Sequence, residues 1–423
     1  MHVWLVKLEE QLPIDEGYRP YRMGMLADAL VKKGHRVTRW CSDFDHLRGV
    51  HRYGCRKSII IRDGYSAELL HSSVRYNKAT SFLRLLDNIL LYRQFMKDAR
   101  HHKDKPDIIV CSMPTPELAY ASAKLAKLFK VPLVLDARDM WPDILESELK
   151  GLKRILAFPV IWWMKKKLTF AARNSSSLIG ITNFYRDHLL RYANRKELHL
   201  DSVFSLGYDL NQHATKSSRE ELMRYWCKLG VETDGSKEII YFAGRLNNTV
   251  YNAIDPVVRA AEEIGKSRND VLFVLCGTGT KSFDIASKFV GLENVVLPGE
   301  INAGELAFLR EHSFAAILPI EPRVDYLNSL SNKFFEYIGS ALPVLSSIDG
   351  LPGKKLKENN CGYVYTSAED LIAKVMLLLD NPSLVAKMSA NALELFDQQY
   401  RADVVYNLFV SHLEKIITQI KGA

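Results

Sequence analysis

The sequence predicts an α/β protein of two doubly wound domains, each a mostly parallel β-sheet covered by helices. A chain of 423 residues is about twice the size of one ordinary hydrophobic core. Short apolar strands alternate with amphipathic helices in both halves, a pattern typical of parallel sheets. A polar stretch, Leu210 to Lys237, separates the two series. We therefore predict a first domain over 1–209, a second over 210–400 and a terminal helix over 401–423.

In the first half, apolar runs bounded by glycine, proline or polar residues predict the strands, and the 3.6-residue apolar period predicts the helices between them. A long polar loop, Glu9 to Arg22, follows the first strand. The predicted elements are a strand at Val3–Leu8, a helix ending at Gly34, a strand at 37–41, a strand at Asp107–Ser112, a helix at Pro116–Phe129, and strands at Val131–Asp136 and Leu178–Thr182.

In the second half, each predicted strand runs into a loop that carries glycine or a cation. Glu238–Ala243 precedes Gly244 and Arg245, and Val271–Cys276 precedes the run Gly277, Thr278, Gly279. Such loops meet at the carboxyl edge of a parallel sheet, where backbone amides and an arginine can bind a phosphate. A further strand, 314–318, precedes the polar loop 319–331. The sequence therefore predicts one anion site on this edge.

A helix that follows this loop carries both a cation and a carboxylate. Ser331 or Asn332 can cap it, and its phenylalanines and Ile338 predict a buried face. Lys333 and Glu336 are three residues apart, so they can share one helical face. We expect Lys333 to bind a nucleotide phosphate and Glu336 to accept the ribose hydroxyls. The alternative is an ordinary surface ion pair.

Composition indicates a reduced, globular protein. The six cysteines are scattered and form no C-x-x-C pair, which argues against a zinc site and a disulfide framework. The N-terminal strand has no basic region before it, unlike a signal peptide, and no run approaches the roughly 20 apolar residues of a membrane span. We expect a cytoplasmic protein.

The net charge of +8 suits an anionic partner, and one segment suggests which kind. Within Gly151–Lys167, ten consecutive non-polar residues, Ile155 to Met164, are flanked by basic ones, a pattern that suits the membrane interface. The second candidate is Val74–Lys105. The alternative for both is a core helix with a solvated basic flank. The predicted membrane residues are Trp162, Trp163, Lys165, Lys166 and Lys167.

The run Ser331–Ser347 resembles the C-terminal signature of glycosyltransferase family 4, the N-K-[LF]-F-E-Y helix followed by G-x-P-V. Glu336 matches the second of the family's two glutamates, whereas Asn328 stands at the first. The family's usual lysine after the arginine is Val250 here, which puts more weight on Lys333. Further motifs in the family's order are Gly17–Arg22, Lys33–Thr38, Leu135–Pro142, Gly207–Asp209, Gly244-Arg245 and Gly277–Gly279.

This resemblance implies the GT-B fold, two Rossmann-like doubly wound domains facing across a cleft, with the last helix packing back onto the first domain. It implies retaining, metal-independent transfer of a hexosyl or N-acetylhexosaminyl group from a nucleotide-diphosphate sugar, with UDP favoured. The R-D-x-W-P segment is similar to members that build O-antigen or capsule. The implied acceptor is a polyprenyl-diphosphate-linked saccharide at the inner face of the membrane, with no cofactor and no nucleic-acid partner.

The resemblance also assigns roles to residues. It places Asp139 or Arg138 beside the reacting centre, and the alternative is that Asp139 is a buried structural aspartate. It assigns Tyr18, Arg19 and Arg22 to the acceptor, and the alternative is that they are ordinary loop and cap residues. The assigned sets are catalytic Asp139 and Arg138; donor phosphate Arg245, Lys333, Ser331, Asn332 and Gly244; ribose Glu336; donor base and sugar Gly277, Thr278, Gly279, Asn328 and Leu330; and acceptor Tyr18, Arg19 and Arg22.

Three other interpretations stay open at this level. A nucleotide-sugar epimerase shares the fold but needs converging acidic and histidine residues, which the sequence does not place. A nicotinamide dehydrogenase needs G-x-G-x-x-G, and Gly277-Thr278-Gly279 lacks the third glycine. A non-enzymatic basic protein that binds membrane or nucleic acid would explain the charge alone. The D-x-D triplet Asp43–Asp45 is interpreted as a loop rather than a metal site.

Overall fold

The computed structural model describes residues 1–46, 48–74, 82–149, 151–210 and 217–421. The chain forms two compact units, each built on its own sheet. The first comprises Met1–Leu206 together with Val405–Ala423, and the second comprises Gly207–Val404. The chain thus passes from the first unit to the second close to the predicted boundary between residues 209 and 210, and it returns to the first unit within the last helix.

The first unit contains an eight-stranded sheet in the order β10-β9-β8-β7-β1-β2-β6-β5. All neighbouring strands are parallel except β5, which pairs antiparallel with β6, and β3 and β4 form a separate antiparallel pair. The strands are β1 His2–Val6, β2 Arg36–Ser42, β3 Phe44–Asp45, β4 Val50–His51, β5 Lys57–Arg62, β6 Tyr65–Leu70, β7 Ile108–Ser112, β8 Leu133–Ala137, β9 Ser177–Gly180 and β10 Ser202–Val203.

Helices cover this sheet because their apolar faces match its buried, aliphatic strands. The two tryptophans Trp4 and Trp40 lie edge to face in the core, with ring centroids 5.1 Å apart. The helices are α1 Arg22–Lys32, α2 Phe82–His101, α3 Pro116–Phe129, α4 Asp143–Glu148, α5 Leu152–Arg173 and α6 Asn183–Ala193.

The second unit contains a six-stranded, wholly parallel sheet in the order β13-β12-β11-β14-β15-β16. Its central strands are fully buried apolar runs, as expected for strands covered on both faces. The strands are β11 Glu238–Ala243, β12 Val271–Cys276, β13 Val295–Gly299, β14 Ser313–Leu318, β15 Val344–Ser346 and β16 Gly362–Val364.

The polar stretch before this sheet contains a helix, α7, that the sequence did not predict. Ser218 caps it in a reciprocal capping box with Glu221, and Trp226 is fully buried with its indole N–H donating to the Glu305 carbonyl at 3.1 Å. The helices of this unit are α7 Arg219–Lys228, α8 Asn248–Tyr251, α9 Asp255–Ser267, α10 Ser282–Ser287, α11 Ala303–Glu311, α12 Val324–Leu327, α13 Asn332–Gly339, α14 Leu351–Asn359, α15 Ala368–Leu379 and α16 Pro382–Gln399.

The last helix, α17 Ala402–Lys421, packs on the first unit from Val405 onward. Phe409 stacks on Phe204 with ring centroids 4.7 Å apart. His35, in the turn between α1 and β2, bonds through Nε2 to Glu414 at 2.8 Å. His35 therefore joins this turn to the last helix.

Candidate functional site

Each sheet reverses its strand order at one point, and open α/β sheets bind ligands outside the carboxyl ends of the strands at such points. In the second unit the reversal lies between β11 and β14. The segment after β11 contains Gly244 and Arg245, and the segment after β14 is the loop 319–331. The predicted anion-binding loops therefore flank the switch point of the second sheet.

Glycines let these loops approach one another without side chains between them. A Cβ on Gly277, whose φ is +130°, would lie 1.9 Å from the Gly244 carbonyl oxygen, and one on Gly279 would lie 2.3 Å from that of Leu246. The Leu246 amide donates to the Thr278 carbonyl at 3.1 Å. These glycines are thus required by loop packing, while Thr278 is exposed on the same edge.

Gly244 has a different neighbour, the side chain of Lys333. A Cβ at Gly244 would lie 2.0 Å from Lys333 Cε, so only glycine leaves room for the lysine to cross this turn. The ammonium lies 5.6 Å from the centroid of the Phe242 ring. Burial and the nearby Arg245 charge lower the pKa of Lys333, whereas Glu336 opposes that shift.

Two side-chain cations at this edge, those of Lys333 and Arg245, form no hydrogen bond or ion pair among the described residues. Lys333 is half-buried and Arg245 is exposed. By contrast, Lys281 on the next loop is held by Asp284 at 2.5 Å and lies 5.0 Å from the Tyr251 ring centroid. Unpaired cations beside glycine turns favour binding of a phosphate group.

Glu336 does not share an exposed face with Lys333, contrary to the sequence interpretation. It is buried, and its Oε1 accepts from Nη1 of Arg310 on α11 at 2.5 Å. In the described part of the chain Oε2 accepts no hydrogen bond. Glu336 can therefore offer one oxygen to a ligand while Arg310 fixes the other. The sequence did not predict Arg310 as the partner of Glu336, because the two residues are 26 positions apart and no local pattern connects them.

The start of α13 matches the prediction. Ser331 is the N-cap, and its Oγ accepts from the Phe334 amide at 3.4 Å, while Asn332 is exposed at the first helical position. The Leu330 side chain is only 6% exposed, so the predicted contact of this residue with donor base or sugar is limited to its backbone.

The loop 319–331 is ordered by its own turns and by Ser347, which the sequence analysis did not single out. The Ile320 amide donates to Ser347 Oγ at 2.9 Å, and that hydroxyl reaches the Ile320 carbonyl at 2.8 Å. Asn328 follows α12, and its side-chain amide donates to the Val324 carbonyl at 2.8 Å. Part of the hydrogen-bonding capacity of Asn328 is thus used inside the loop.

In the first unit the switch point lies between β1 and β7, and the neighbouring β8 ends at Ala137. Arg138 and Asp139 follow directly and are half-buried. Nη1 of Arg138 forms an ion pair with Oε1 of Glu10. Asp139 Oδ1 accepts from the Met140 amide at 2.7 Å. The predicted catalytic pair is therefore at the carboxyl edge of the first sheet, with Arg138 held by a carboxylate that sequence reasoning missed.

Glu10 is buried at this edge and contacts several groups besides Arg138. Its Oε2 accepts from the Met23 amide at 2.9 Å and lies 3.6 Å from Nη2 of Arg39. Burial alone would raise the pKa of Glu10, but Arg138 and Arg39 lower it below the usual range. Glu10 therefore stays charged and orients Arg138.

The acceptor assignment is wrong for Arg22 and for the hydroxyl of Tyr18. Arg22 is fully buried and makes a bidentate pair with Asp136, both contacts at 2.8 Å. The Tyr18 hydroxyl is buried and lies where a Cβ on Gly24 would approach it to 2.6 Å. Arg19 is half-buried with its guanidinium 5.8 Å from the Tyr21 ring centroid, so its acceptor role stays a prediction.

The basic–aromatic segment lies on α5, and its residues divide between the core and the surface. Trp162 and Lys166 are exposed, Trp163 is half-buried, and Lys165 pairs with Asp143 and Glu146 of α4. The membrane assignment is wrong for Lys167. It is 7% exposed, and its ammonium lies 4.0–4.6 Å from the ring centroids of Tyr92, Tyr120 and Trp163.

The exposed apolar surface of α5 lies instead at its N-terminal half. Leu152, Ile155, Leu156 and Phe158 are each 61–71% exposed, and Trp162 is 53% exposed. We call these five residues the α5 apolar patch. In the second candidate segment, residues 75–81 lie outside the described residues, and Leu83, Leu86 and Leu90 of α2 are exposed. Within the described ranges, no helix is both long and apolar enough to cross a bilayer.

Two family models match the chain, one in each unit. Residues 17–199 match the glycosyl transferase 4-like domain, and residues 230–395 match glycosyl transferases group 1. The first match contains Arg138 and Asp139, and the second contains Arg245, Lys333 and Glu336. No curated protein sequence matches the chain.

Solved structures similar to the chain include several sugar-transfer proteins. Sucrose-phosphate synthase from Thermosynechococcus elongatus has a TM-score of 0.68 at 12% identity and covers 99% of both chains. HepE from Anabaena, in complex with UDP, has a TM-score of 0.63 at 13% identity, covering 98% of this chain and 100% of that one.

WaaG, a glycosyltransferase involved in lipopolysaccharide biosynthesis, has a TM-score of 0.60 at 15% identity with full coverage of both chains. At these identities the likeness supports the fold. Together with the family models it confirms the α/β architecture of two Rossmann-like domains. The chain thus combines a region that matches the glycosyl transferase 4-like domain, residues 17–199, with a region that matches glycosyl transferases group 1, residues 230–395, on two Rossmann-like α/β domains.

Proposed function

We propose that the chain is a retaining, metal-independent glycosyltransferase that moves a hexosyl or N-acetylhexosaminyl group from a UDP-sugar to a polyprenyl-diphosphate-linked saccharide during surface-polysaccharide assembly. The observation that carries the donor half is a pair of cations, Lys333 and Arg245, at the switch point of the second sheet, whose side chains form no ion pair in the part of the chain that the structure describes. A diphosphate leaving group needs such charge.

The donor is held by the second unit in this proposal. Lys333, Arg245 and the amides at the start of α13 bind the diphosphate, and Oε2 of Glu336 accepts from the ribose hydroxyls. As the bond from the anomeric carbon to the diphosphate breaks, these groups stabilise the departing negative charge. With front-face attack the leaving phosphate takes the proton of the acceptor hydroxyl, which accounts for retention without a dedicated enzyme base.

UDP is the nucleotide that we propose for the donor. HepE, which shares the fold, was solved in complex with UDP, and we extend that property to this chain. WaaG is described as acting in lipopolysaccharide biosynthesis, which favours a surface-polysaccharide role, although sucrose-phosphate synthase shares the fold with another acceptor. On the acceptor side we keep Asp139 and Arg138 as the proposed catalytic pair.

The α5 apolar patch supports the lipid-linked acceptor. Within 151–167 the sequence has five lysines and arginines and no acidic residue. Lys153, Arg154 and Lys166 are exposed around the patch. Exposed leucine, phenylalanine and tryptophan beside basic residues suit the surface of an anionic bilayer, where each basic residue contributes about 1 kcal/mol. We propose that this surface binds the inner face of the membrane.

The membrane proposal predicts a large effect of introducing negative charge into the patch. The double variant Leu156→Glu/Phe158→Glu should bind anionic vesicles roughly 100-fold more weakly than wild type in sedimentation at low salt, since two apolar side chains are lost from the interface. The matched control is Ile60→Glu, which changes an 85% exposed isoleucine on β5. Equal binding of the double variant and wild type would contradict the proposal.

The transfer activity itself is tested with donors and acceptors in a panel. Purified protein is incubated with UDP-, GDP- and CMP-linked sugars, with and without lipid extract containing polyprenyl-diphosphate saccharides. We expect UDP release that depends on the lipid acceptor, and a product with the anomeric configuration of the donor. Conversion of the donor into its epimer without transfer would establish an epimerase instead, and binding of none of the donors would rule out the proposal.

A further inference from the structure

A cluster of one aspartate and two histidines lies at the carboxyl edge of the first sheet, and none of the three residues has a role in the proposed transfer reaction. Asp43 follows β2, His51 ends β4 and His71 follows β6. Oδ2 of Asp43 lies 3.1 Å from Nδ1 of His51 and 3.1 Å from Nδ1 of His71. The three atoms lie within 4.8 Å of one another.

The aspartate is rigidly held. Asp43 is fully buried, and its Oδ1 accepts from the Tyr53 amide at 2.8 Å while its Oδ2 accepts from the Gly54 amide at 3.0 Å. Its own amide donates to the Leu70 carbonyl at 2.7 Å. A carboxylate that accepts from two backbone amides, on a residue whose own amide is also bonded, keeps its position whether or not a ligand is present.

Hydrogen bonding alone accounts poorly for this arrangement. Three nitrogens converge on Oδ2 of Asp43, namely those of Gly54, His51 and His71, whereas a carboxylate oxygen offers about two lone-pair directions. The two imidazole rings also pack against each other, with centroids 4.9 Å apart. One cation bound by both Nδ1 lone pairs and Oδ2 would relieve this excess of donors.

The distances fit a metal ion after a small adjustment. Nitrogen and oxygen ligands bind Zn²⁺ at about 2.0–2.2 Å, so two ligands at a tetrahedral angle are roughly 3.4 Å apart. The side chain of His71 is 23% exposed and that of His51 is 10% exposed, which leaves an approach for the ion and for a water ligand. Two imidazoles and one carboxylate are a ligand set for zinc or iron-type divalent ions rather than Ca²⁺ or Mg²⁺.

We propose that Asp43, His51 and His71 form a binding site for a divalent transition-metal ion of the zinc type. The ion would join the β3–β4 pair to the end of β6 and thereby fix this part of the carboxyl edge. The proposal is independent of the glycosyltransferase chemistry, because the residues proposed to bind the leaving phosphate belong to the second unit. It also gives the D-x-D triplet a role through Asp43 alone, where the sequence indicated only a loop.

The test uses the full chain, stripped with a chelator and titrated with Zn²⁺ by calorimetry and with Co²⁺ by visible absorption. Wild type should bind one ion per chain, and His71→Gln and Asp43→Asn should each bind at least about 100-fold more weakly. His101→Gln is the matched control, since it changes an exposed histidine of the same unit and should bind like wild type. Equal affinity of wild type and His71→Gln would overturn the proposal.

A second measurement guards against loss of binding through misfolding. In ¹⁵N-histidine NMR spectra of wild type, saturating Zn²⁺ should convert two histidines from the Nδ1–H form to the form that is metal-bound at Nδ1 and protonated at Nε2. Circular dichroism should show that His71→Gln is folded, since it changes a partly exposed side chain. Retention of both Nδ1–H groups at saturating Zn²⁺ would show that the cluster is a hydrogen-bonded one and would overturn the proposal.

Discussion

Lys333→Ala should lower kcat/KM for the nucleotide-sugar donor by roughly 100- to 1,000-fold, the usual effect of removing one group that stabilises the leaving charge. Lys333 is half-buried and its ammonium forms no ion pair among the described residues, so it is available to bind a diphosphate. Partial burial also strengthens that interaction relative to water. The effect should appear in nucleoside-diphosphate affinity as well as in turnover.

The matched control is Lys281→Ala in the neighbouring loop. Lys281 is already held by Asp284, so its loss should change kcat/KM by less than about threefold. Arg245→Ala should give an intermediate loss of about tenfold, since this exposed guanidinium acts in a more aqueous environment. If Lys333→Ala had the same kcat/KM as wild type, measured at subsaturating donor, the proposal that this side chain binds the diphosphate would be wrong.

Lys333→Arg sharpens this experiment. The lysine stem crosses Gly244 so closely that a Cβ there would lie 2.0 Å from Cε. The wider guanidinium cannot follow the same path without displacing the turn, so arginine should not restore the activity although it keeps the charge. Recovery to wild-type activity would show that charge alone, rather than this geometry, binds the donor.

The sequence predicted the strand ends, the glycine turns and the helix cap of this edge because their signals are local. Strand ends followed by glycine, a capped helix and the spacing of Lys333 are all properties of a few consecutive residues. The partner of Glu336 could not be predicted in this way, since Arg310 lies 26 residues upstream on another helix. The helix α13 is buried over Phe334–Gly339, so a carboxylate within it requires a partner, but the sequence does not say which.

The prediction for Lys167 failed for a different reason. It depends on which face of the helix the residue lies on, not on a partner that is distant in sequence. Ile161, Met164, Leu168 and Ala171 repeat at helical spacing and form the buried face of α5. Lys167 lies beside Met164 and Leu168 on that face, and only the flanking lysines made it resemble a surface residue. The aromatic rings around its ammonium come from three helices, a tertiary arrangement that periodicity does not predict.

Arg22→Ala should destabilise the first unit by about 3–5 kcal/mol, since it leaves the Asp136 carboxylate buried without its partner. Both side chains of this pair are completely buried, and both hydrogen bonds are 2.8 Å long. The double variant Arg22→Met/Asp136→Leu should be much less destabilised, because it removes both charges together. Arg62→Ala, which breaks a pair exposed on both sides, should cost less than about 1 kcal/mol.

Hydrogen exchange is the appropriate measurement, because a chain with two units need not unfold in one step and each unit must be followed separately. Arg22 also donates to the Ser205 carbonyl at 2.8 Å and lies 5.2 Å from the Phe409 ring centroid of α17. It therefore joins the sheet both to the segment where the chain leaves the first unit and to the helix that returns. Faster exchange in Arg22→Ala should reach β8 and α17 together and leave β11–β15 unchanged, whereas a change confined to α1 would indicate a local role for this arginine.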